Sequence, residues 1–379
     1  MTLNMATNIL TVLRTVRCWI YRAIKTGLVL STALLLTGAV YQRFAVKADL
    51  EKYPPPGRMV DVDGHLFHIN CSGAGPLTVI LEGGAGASSL AWAWIQPEVA
   101  KNAKVCSYDR AGYSWSAPSA LPMDAINTSR QLHDLLTAAN IPGPYILVGH
   151  SIGGAYARMF AANYPQDVAG LVLVDATNPS VLETYAEVDL PKVEDWTPPT
   201  VQVFPYLASV GAMRAVLGLG LFNLAAGLPA DTEAVANAFL AQTDYLKTVV
   251  WEYRFLPDTL KQIRSLQPLN DLPVAVIVAG QFTGLDAEAA AKFIDWHRKQ
   301  QRNWLNLSTN SSLRTLEEAD HISLMTNHRH AHEVANTILQ MIETITASAV
   351  QSTPVFRSPN DSASDSASVS TYSTAMEVE

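Results

Sequence analysis

With 379 residues, 49% of them apolar and only 16% charged, the chain has material for one large buried core or two modest ones. Its net charge of -8 excludes the broad basic surface of a nucleic-acid-binding protein, and no phosphate-cradling GxxxxGK loop is present.

The first sixty residues read differently from the rest. Residues 26–41 carry no charge and are rich in Leu, Val and Ala, with Arg14, Arg17, Arg22 and Lys25 just ahead of them. That pattern predicts a membrane anchor. Its 16 residues fall short of the roughly 20 that a helical span needs. The span therefore extends to Trp19, Ile20 and Tyr21 upstream or to Phe44 and Val46 downstream, with Lys25 or Arg43 snorkelling. A cleaved signal peptide is the alternative, since Thr37, Gly38 and Ala39 are small enough for a peptidase. Arg43, Lys47, Lys52 and Arg58 balance the basic residues ahead, so the charge rule leaves orientation open. Pro54, Pro55, Pro56 and Gly57 read as a stiff linker that holds the next domain off the anchor.

Beyond the linker, short β-rich runs alternate with helical stretches. Runs at Arg58 to Val62, Leu66 to Asn70, Leu77 to Glu82, Val105 to Tyr108, Tyr145 to Val148, Gly170 to Val174, Val274 to Ala279 and Leu313 to Leu316 predict eight strands. Helices are expected at Ser129 to Ala139, Gly154 to Asn163, Ala287 to Leu305 and Ala331 to Thr346. Helix-length spacers between the later strands predict a mostly parallel sheet with right-handed crossovers, an α/β fold. Between Val174 and Val274 lie 99 residues, more than one crossover uses, so residues 176–270 read as an inserted helical cap. Its apolar stretch from Val201 to Leu228 suits a lid that lines an acyl pocket and touches lipid, or simply the buried face of cap helices. Arg214 in its middle counts against a second membrane span. From Ser348 onward Ser, Ala, Thr and Asp dominate, too polar to order themselves. The expected divisions are 1–56 for anchor and linker, 57–175 and 271–347 for the core, 176–270 for the cap and 348–379 for a disordered tail.

Cys71 ends one predicted strand and Cys106 begins another. If those strands are antiparallel neighbours a disulfide is possible, which would place the domain outside the cytosol; two buried free cysteines are the other reading. Five N-x-S/T sequons, at Asn70, Asn127, Asn306, Asn310 and Asn360, are compatible with a secretory route.

The chemistry centres on Gly149-His150-Ser151-Ile152-Gly153-Gly154, between an apolar strand and an amphipathic helix. A turn that lifts one hydroxyl clear of a sheet needs small residues two positions either side of it, and Gly149 and Gly153 stand there. Ser151 is thus the candidate nucleophile. A serine hydroxyl needs a base, and His321, on the loop after the last strand, has the right place in the chain. His150 is expected to point to the opposite side of the turn and pack. His328, His330 and His332 read as a polar helix start rather than a metal cluster, because their spacing scatters them around a helix. The third member is a carboxylate: Asp175, at the end of the sixth strand, leads, Asp286 is the alternative, and Glu183 is a third candidate. Oxyanion donors, worth roughly 3 to 4 kcal/mol each where measured, are expected from the N–H groups of Ile152 and of Gly84 in the turn Glu82 to Gly86.

These motifs, with the segment Tyr108 to Ser116 and the Asp320-His321 loop, resemble the α/β-hydrolase superfamily, in particular its lidded serine hydrolases of the AB-hydrolase-1 type. The resemblance runs from about Gly57 to Ile345. It implies an eight-stranded, mostly parallel sheet whose second strand is antiparallel and beside the fourth, which would bring Cys71 and Cys106 together. It allows the acid after either the sixth or the seventh strand. Two departures stand out. The usual His-Gly of the oxyanion turn is Glu82-Gly83, which puts an extra carboxylate near the site. The usual Gly-x-x-Asp after the seventh strand is Gly280-Gln281-Phe282-Thr283, which favours Asp175. Asp109 and Arg110 are expected to hold a loop over the pocket.

The sequence thus predicts a membrane-anchored serine hydrolase that cleaves a carboxylic ester, or an amide, through an acyl-enzyme, with no metal or organic cofactor. Its expected partners are a small ester or lipid-like substrate and, through the N-terminal segment, a membrane. The catalytic domain is expected outside the cytoplasm, anchored or secreted. A serine in place of an aspartate nucleophile argues against epoxide or haloalkane hydrolysis. A proline-type aminopeptidase or acyltransferase is the second reading, with Glu183, Glu187 or Glu194 as amine-binding cap carboxylates. A non-catalytic binding protein on the same fold is the third.

Overall fold

The computed structural model describes residues 2–189, 192, 196–197, 199–221, 223, 225–282 and 286–352. Helix α1 (Thr2–Lys52) is followed by strands β1 (Arg58–Val62), β2 (His65–Ser72) and β3 (Thr78–Glu82), helix α2 (Ile95–Val99) and β4 (Lys104–Tyr108). Then come α3 (Ala125–Ala138), β5 (Tyr145–His150), α4 (Gly153–Asn163), β6 (Val168–Val174) and the segment α5 (Val181–Thr184), α6 (Pro199–Ser209), α7 (Ala212–Gly218), α8 (Ala230–Leu240) and α9 (Thr243–Arg264). The chain closes with β7 (Val274–Ala279), α10 (Ala287–Arg302), β8 (Ser311–Leu316), α11 (Ser323–Thr326) and α12 (His328–Ser352).

The eight strands form one sheet in the order β1-β2-β4-β3-β5-β6-β7-β8. Only β2 runs against the rest, paired antiparallel to β1 and β4. Strands β3, β5 and β7 are buried along their whole length, as continuous Val, Ile and Leu runs demand in a sheet covered on both faces. Helices α3, α4, α9 and α10 pack on one face, through Leu132, Phe160, Leu260 and Trp296 among others. Helices α2 and α12 cover the opposite face, through Ile95, Val99, Val334 and Ile338. In β2 and β4, Cys71 stands opposite Cys106 and the two sulfurs are bonded.

The expected strands all appear: β1 and β7 keep their limits, β3 starts one residue later at Thr78, and the others are extended, β5 to His150 and β6 back to Val168 among them. α12 starts at His328, three residues before expected, and continues to Ser352, past the predicted start of the tail. Residues 353–379 of that tail, and Glu194 and Thr283, lie outside the described residues.

Among the described residues one helix, α1, is long and apolar enough to cross a membrane. Its residues from Leu13 to Thr37 are exposed, and from Gly38 one face turns to protein: Gly38, Gln42, Ala45 and Asp49 recur at helical spacing. A Cβ on Gly38 would meet the Val210 carbonyl at 2.3 Å, so only glycine permits this approach. Gln42 is buried and its Nε2 donates to Ala241 O at 2.7 Å, while Asp49 pairs with Arg214 at 2.7 Å. The linker therefore does not hold the domain off the anchor. Trp115 Nε1 donates to Tyr53 O at 2.9 Å and His68 bonds Pro56 O, so the proline run lies on the core and the helix docks on the cap.

Candidate active site

Strand β5 delivers Ser151 to the carboxyl edge of the sheet. Ser151 has φ 57°, a left-handed angle that a β-strand residue adopts only in a sharp turn, held by Ser151 N donating to Val174 O and Thr177 N donating to Ser151 O. The turn is tight enough that a Cβ on Gly149 would lie 2.5 Å from Gly153 O, and one on Gly153 2.5 Å from Glu82 O. Both glycines are thus required by contact, as the motif predicts.

Asp175 follows β6, also in the left-handed region with φ 45°, and its carboxylate is buried. His321 Nδ1 stands 2.7 Å from Asp175 Oδ2. The sequence missed a second imidazole: His297 Nε2, from α10, stands 2.8 Å from Asp175 Oδ1, which also accepts from Ala279 N at 2.8 Å. Burial alone would raise the Asp175 pKa, but the hydrogen bonds from His297 and His321 outweigh it and hold the carboxyl well below its ordinary range. Asp175 is therefore an anion that accepts only, and both facing ring nitrogens donate to it. His321 is left with Nε2 as its acceptor.

Asp286 lies elsewhere. It caps α10, its Oδ1 accepting from Glu288 N and Ala289 N at 3.1 and 3.0 Å, exposed to solvent. Glu183 pairs with Arg264 on the surface. His150 departs from expectation. The chain between β8 and α11 crosses the end of β5, so the buried His150 ring faces His321 at 4.5 Å and its Nε2 donates to His321 O at 3.0 Å. Burial first, and then the neighbouring His321, lowers its pKa to about 3, which keeps the ring neutral. His328, His330 and His332 take separate partners: the Trp94 ring, Ser323 Oγ and Glu98.

The glycine turn after β3 abuts the nucleophile: a Cβ on Gly84 would lie 3.1 Å from Ser151 Cβ. Arg110 grips this turn, Nη1 donating to Gly83 O at 2.8 Å and Nη2 to Gly84 O at 2.7 Å. In a trans peptide the N–H opposes the C=O, so this grip aims the N–H groups of Gly84 and Ala85 away from Arg110. The Glu82 carboxylate does not enter the site. It is buried against Arg110 Nη1 at 2.6 Å and accepts from Tyr108 OH. Its pKa is raised, chiefly by burial, against the opposing pull of Arg110. A second unforeseen residue completes the knot: the buried Glu252 of α9 takes Arg110 Nη2 at 2.9 Å, Tyr113 OH at 2.6 Å and Gly86 N at 2.9 Å. The helix over the site is thereby tied to the turn beneath it. Asp109 holds His68 at 2.8 Å and Ser89 N at 2.8 Å, a structural part as expected.

Two cavities meet at Ser151 and His321. One of about 240 Å³ runs toward α10 between Trp196, Phe282, Phe293 and His297. The other, about 310 Å³, runs under the cap past Gly84, Leu228, Leu240 and Tyr253. Both are largely apolar; Ser151 and His321 are common to the two, and Asn178, Gln281, Gln300 and Gln301 add polar groups to the first.

This arrangement agrees with what the chain is similar to. The model of the alpha/beta hydrolase family matches residues 79–337, well over half the chain, and the chain belongs to that family. An uncharacterised protein of Bacillus subtilis, YbdG, is 27% identical over 203 residues, 52% of this chain and 61% of that protein, so the chain spans about three fifths of this relative. A laboratory-evolved variant of potato epoxide hydrolase superposes with a TM-score of 0.59 at 17% identity, over 76% of this chain and 98% of the other. A serine hydrolase involved in carbazole degradation superposes with a TM-score of 0.51 at 20% identity, over 76% and 98% of the two chains. At such identities the likeness shows the fold, shared by neighbours of different chemistry.

Proposed function

We propose that the chain is a membrane-anchored serine hydrolase that cleaves a carboxylic ester through an acyl-enzyme. The observation that carries this reading is the buried Asp175 anion on His321 Nδ1, with His321 and Ser151 lining the same two cavities. His321 Nε2 takes the proton of Ser151 Oγ as the oxygen attacks the ester carbonyl, and Asp175 stabilises the imidazolium. The tetrahedral oxygen is held by the N–H groups of Ile152, at the start of α4, and of Gly84, aimed by Arg110. His321 returns the proton to the departing alcohol, and water repeats the cycle on the acyl-Ser151. The acyl group and the alcohol occupy the two apolar cavities. No step needs a metal or organic cofactor.

The epoxide hydrolase likeness carries no weight for that reaction, because Ser151 stands where those members of the superfamily use a carboxylate. The aminopeptidase reading loses support: Glu183 pairs with Arg264, Glu252 is committed to Arg110, and the only carboxylate among the described residues lining either cavity is Asp175. The disulfide between Cys71 and Cys106 supports an oxidising compartment, and α1 supports attachment to its membrane. A fluorophosphonate probe on the full chain tests the enzyme reading. Covalent label on the Ser151 peptide is expected, and label absent from folded protein would point instead to a non-catalytic binding protein.

A further inference from the structure

The cap carries a surface that catalysis does not use. From Trp196 to Ala230 the sequence holds a single charged residue, Arg214, and that guanidinium is closed off by Asp49 and Gln42 of α1. Helices α6 and α7 are together apolar enough to cross a membrane but are bent by 100° at residues 210–211, the geometry of a broken or re-entrant segment, here called the α6–α7 hairpin. The outward side chains of α6 and of the turn that follows α7 are large and apolar: Tyr206 on α6 and Leu219 just after α7 are 74% exposed, and Leu221 is 72% exposed. A water-facing surface of this composition is unusual for a folded domain.

Its position against α1 fixes what covers it. The hairpin turn, Val210 and Gly211, touches α1 at Gly38. Gly38 lies inside the uncharged stretch 26–41, three residues from its end, or about 5 Å along a helix at 1.5 Å per residue. If residues 26–41 lie in hydrocarbon, whatever touches Gly38 lies at that depth too. Interfacial helices sink about 5 to 10 Å into the same zone. Lys247, Trp251 and Arg254 of α9 share a groove with Tyr206, and these residue types favour headgroup level. Beyond the exposed Leu219 and Leu221, the same chain reaches Ala225 and Leu228, which wall the cavity holding Ser151 and His321.

We propose that the α6–α7 hairpin docks in the outer layer of the lipid bilayer that holds α1, and that the site takes lipophilic esters from that bilayer past Leu219, Leu221 and Leu228. This rests on the anchored-hydrolase reading above. The hairpin meets α1 at Gly38, Arg214 is paired with Asp49 where it would otherwise resist burial, and the chain that leaves the hairpin walls the cavity at Ala225 and Leu228.

The full chain, with Cys18→Ser to remove its free thiol, is labelled with a fluorophore at Leu34→Cys, Tyr206→Cys, Leu219→Cys or Glu343→Cys. Each is placed in phosphatidylcholine vesicles carrying nitroxide on the acyl chains. Quenching at 34, 206 and 219 but not at 343 is expected. Quenching at 34 alone would overturn docking and leave the anchor standing, whether water or a second copy of the chain covers the hairpin. No quenching at 34 would overturn the anchor and the docking with it. In parallel, the combined variant Tyr206→Asp, Leu219→Asp, Leu221→Asp is expected to hydrolyse a vesicle-borne long-chain ester about tenfold more slowly while keeping its rate on soluble p-nitrophenyl acetate. Unchanged rates on both, or an equal fall on both, would contradict entry from the bilayer.

Discussion

Asp175 is shared between two imidazoles, and that sharing sets the residue-scale expectations. His297 and His321 hold opposite oxygens of one carboxylate. Replacing His297 with Leu removes one of the two donors that fix Asp175, so kcat falls through looser orientation of His321. His297→Gln, which keeps an N–H donor, restores most of the wild-type kcat. Steady-state kinetics of the three proteins read this directly, and an unchanged kcat in His297→Leu would make His297 a packing residue. His150 gives a stability prediction with a definite sign. Its folded pKa lies near 3, below the ordinary 6.5, so between those values the unfolded chain binds a proton that the folded chain does not. Stability therefore declines as pH falls through that window. Asp175 adds to the loss only lower down, below its unfolded value of about 3.9. Urea midpoints at pH 7 and pH 5 should differ less in His150→Asn than in the wild type. His297 was hidden in the sequence because nothing near it resembles a catalytic motif. Its signal was spacing: Phe293, Trp296, His297 and Gln300 share one helical face, which aims the ring inward.

At the scale of elements, strands and elbow were legible because their patterns are local. A continuous apolar run flanked by glycines admits few conformations, and β1 and β7 match their expected limits. The cap was legible only as an interval, because its contacts are long-range. Glu252 sits 139 residues from Tyr113 and 142 from Arg110 in the chain, and no local pattern announces that pairing. Its clue was a lone acid on the inward stripe of α9, with Tyr245, Leu256 and Leu260. Glu252→Ala removes the acceptor for Tyr113, Tyr156 and Gly86 and one of the two carboxyl groups beside Arg110. It is expected to cost about 3 kcal/mol or more in urea unfolding, as expected for a broken buried ion pair. The disulfide closes a loop of 35 residues between neighbouring strands, and Cys71→Ser with Cys106→Ser is expected to lower stability by about 3 to 4 kcal/mol in the same assay.

For the whole molecule, the least expected feature is how α1 meets the rest. Sequence separates an anchor from a domain by a proline run, yet Gly38, Gln42, Asp49 and Tyr53 bind helix and linker to the cap and core. A one-dimensional reading sees Pro54 to Pro56 as a spacer, since the bonds that pin its ends, Trp115 to Tyr53 across 62 residues and His68 to Pro56 across a strand turn, follow from the fold and not from a local pattern. On the anchored-hydrolase reading proposed above, the catalytic domain would be held at a fixed height over the bilayer rather than tethered loosely above it. The central claim remains chemical and is tested by trapping the intermediate: the full chain is mixed with a p-nitrophenyl ester, quenched in acid within one turnover, and its peptides are weighed. An acyl mass on the peptide carrying Ser151, absent in His321→Ala, is expected, together with a loss of roughly ten-thousandfold or more in Ser151→Ala. Turnover without that adduct, and undiminished in Ser151→Ala, would contradict the account.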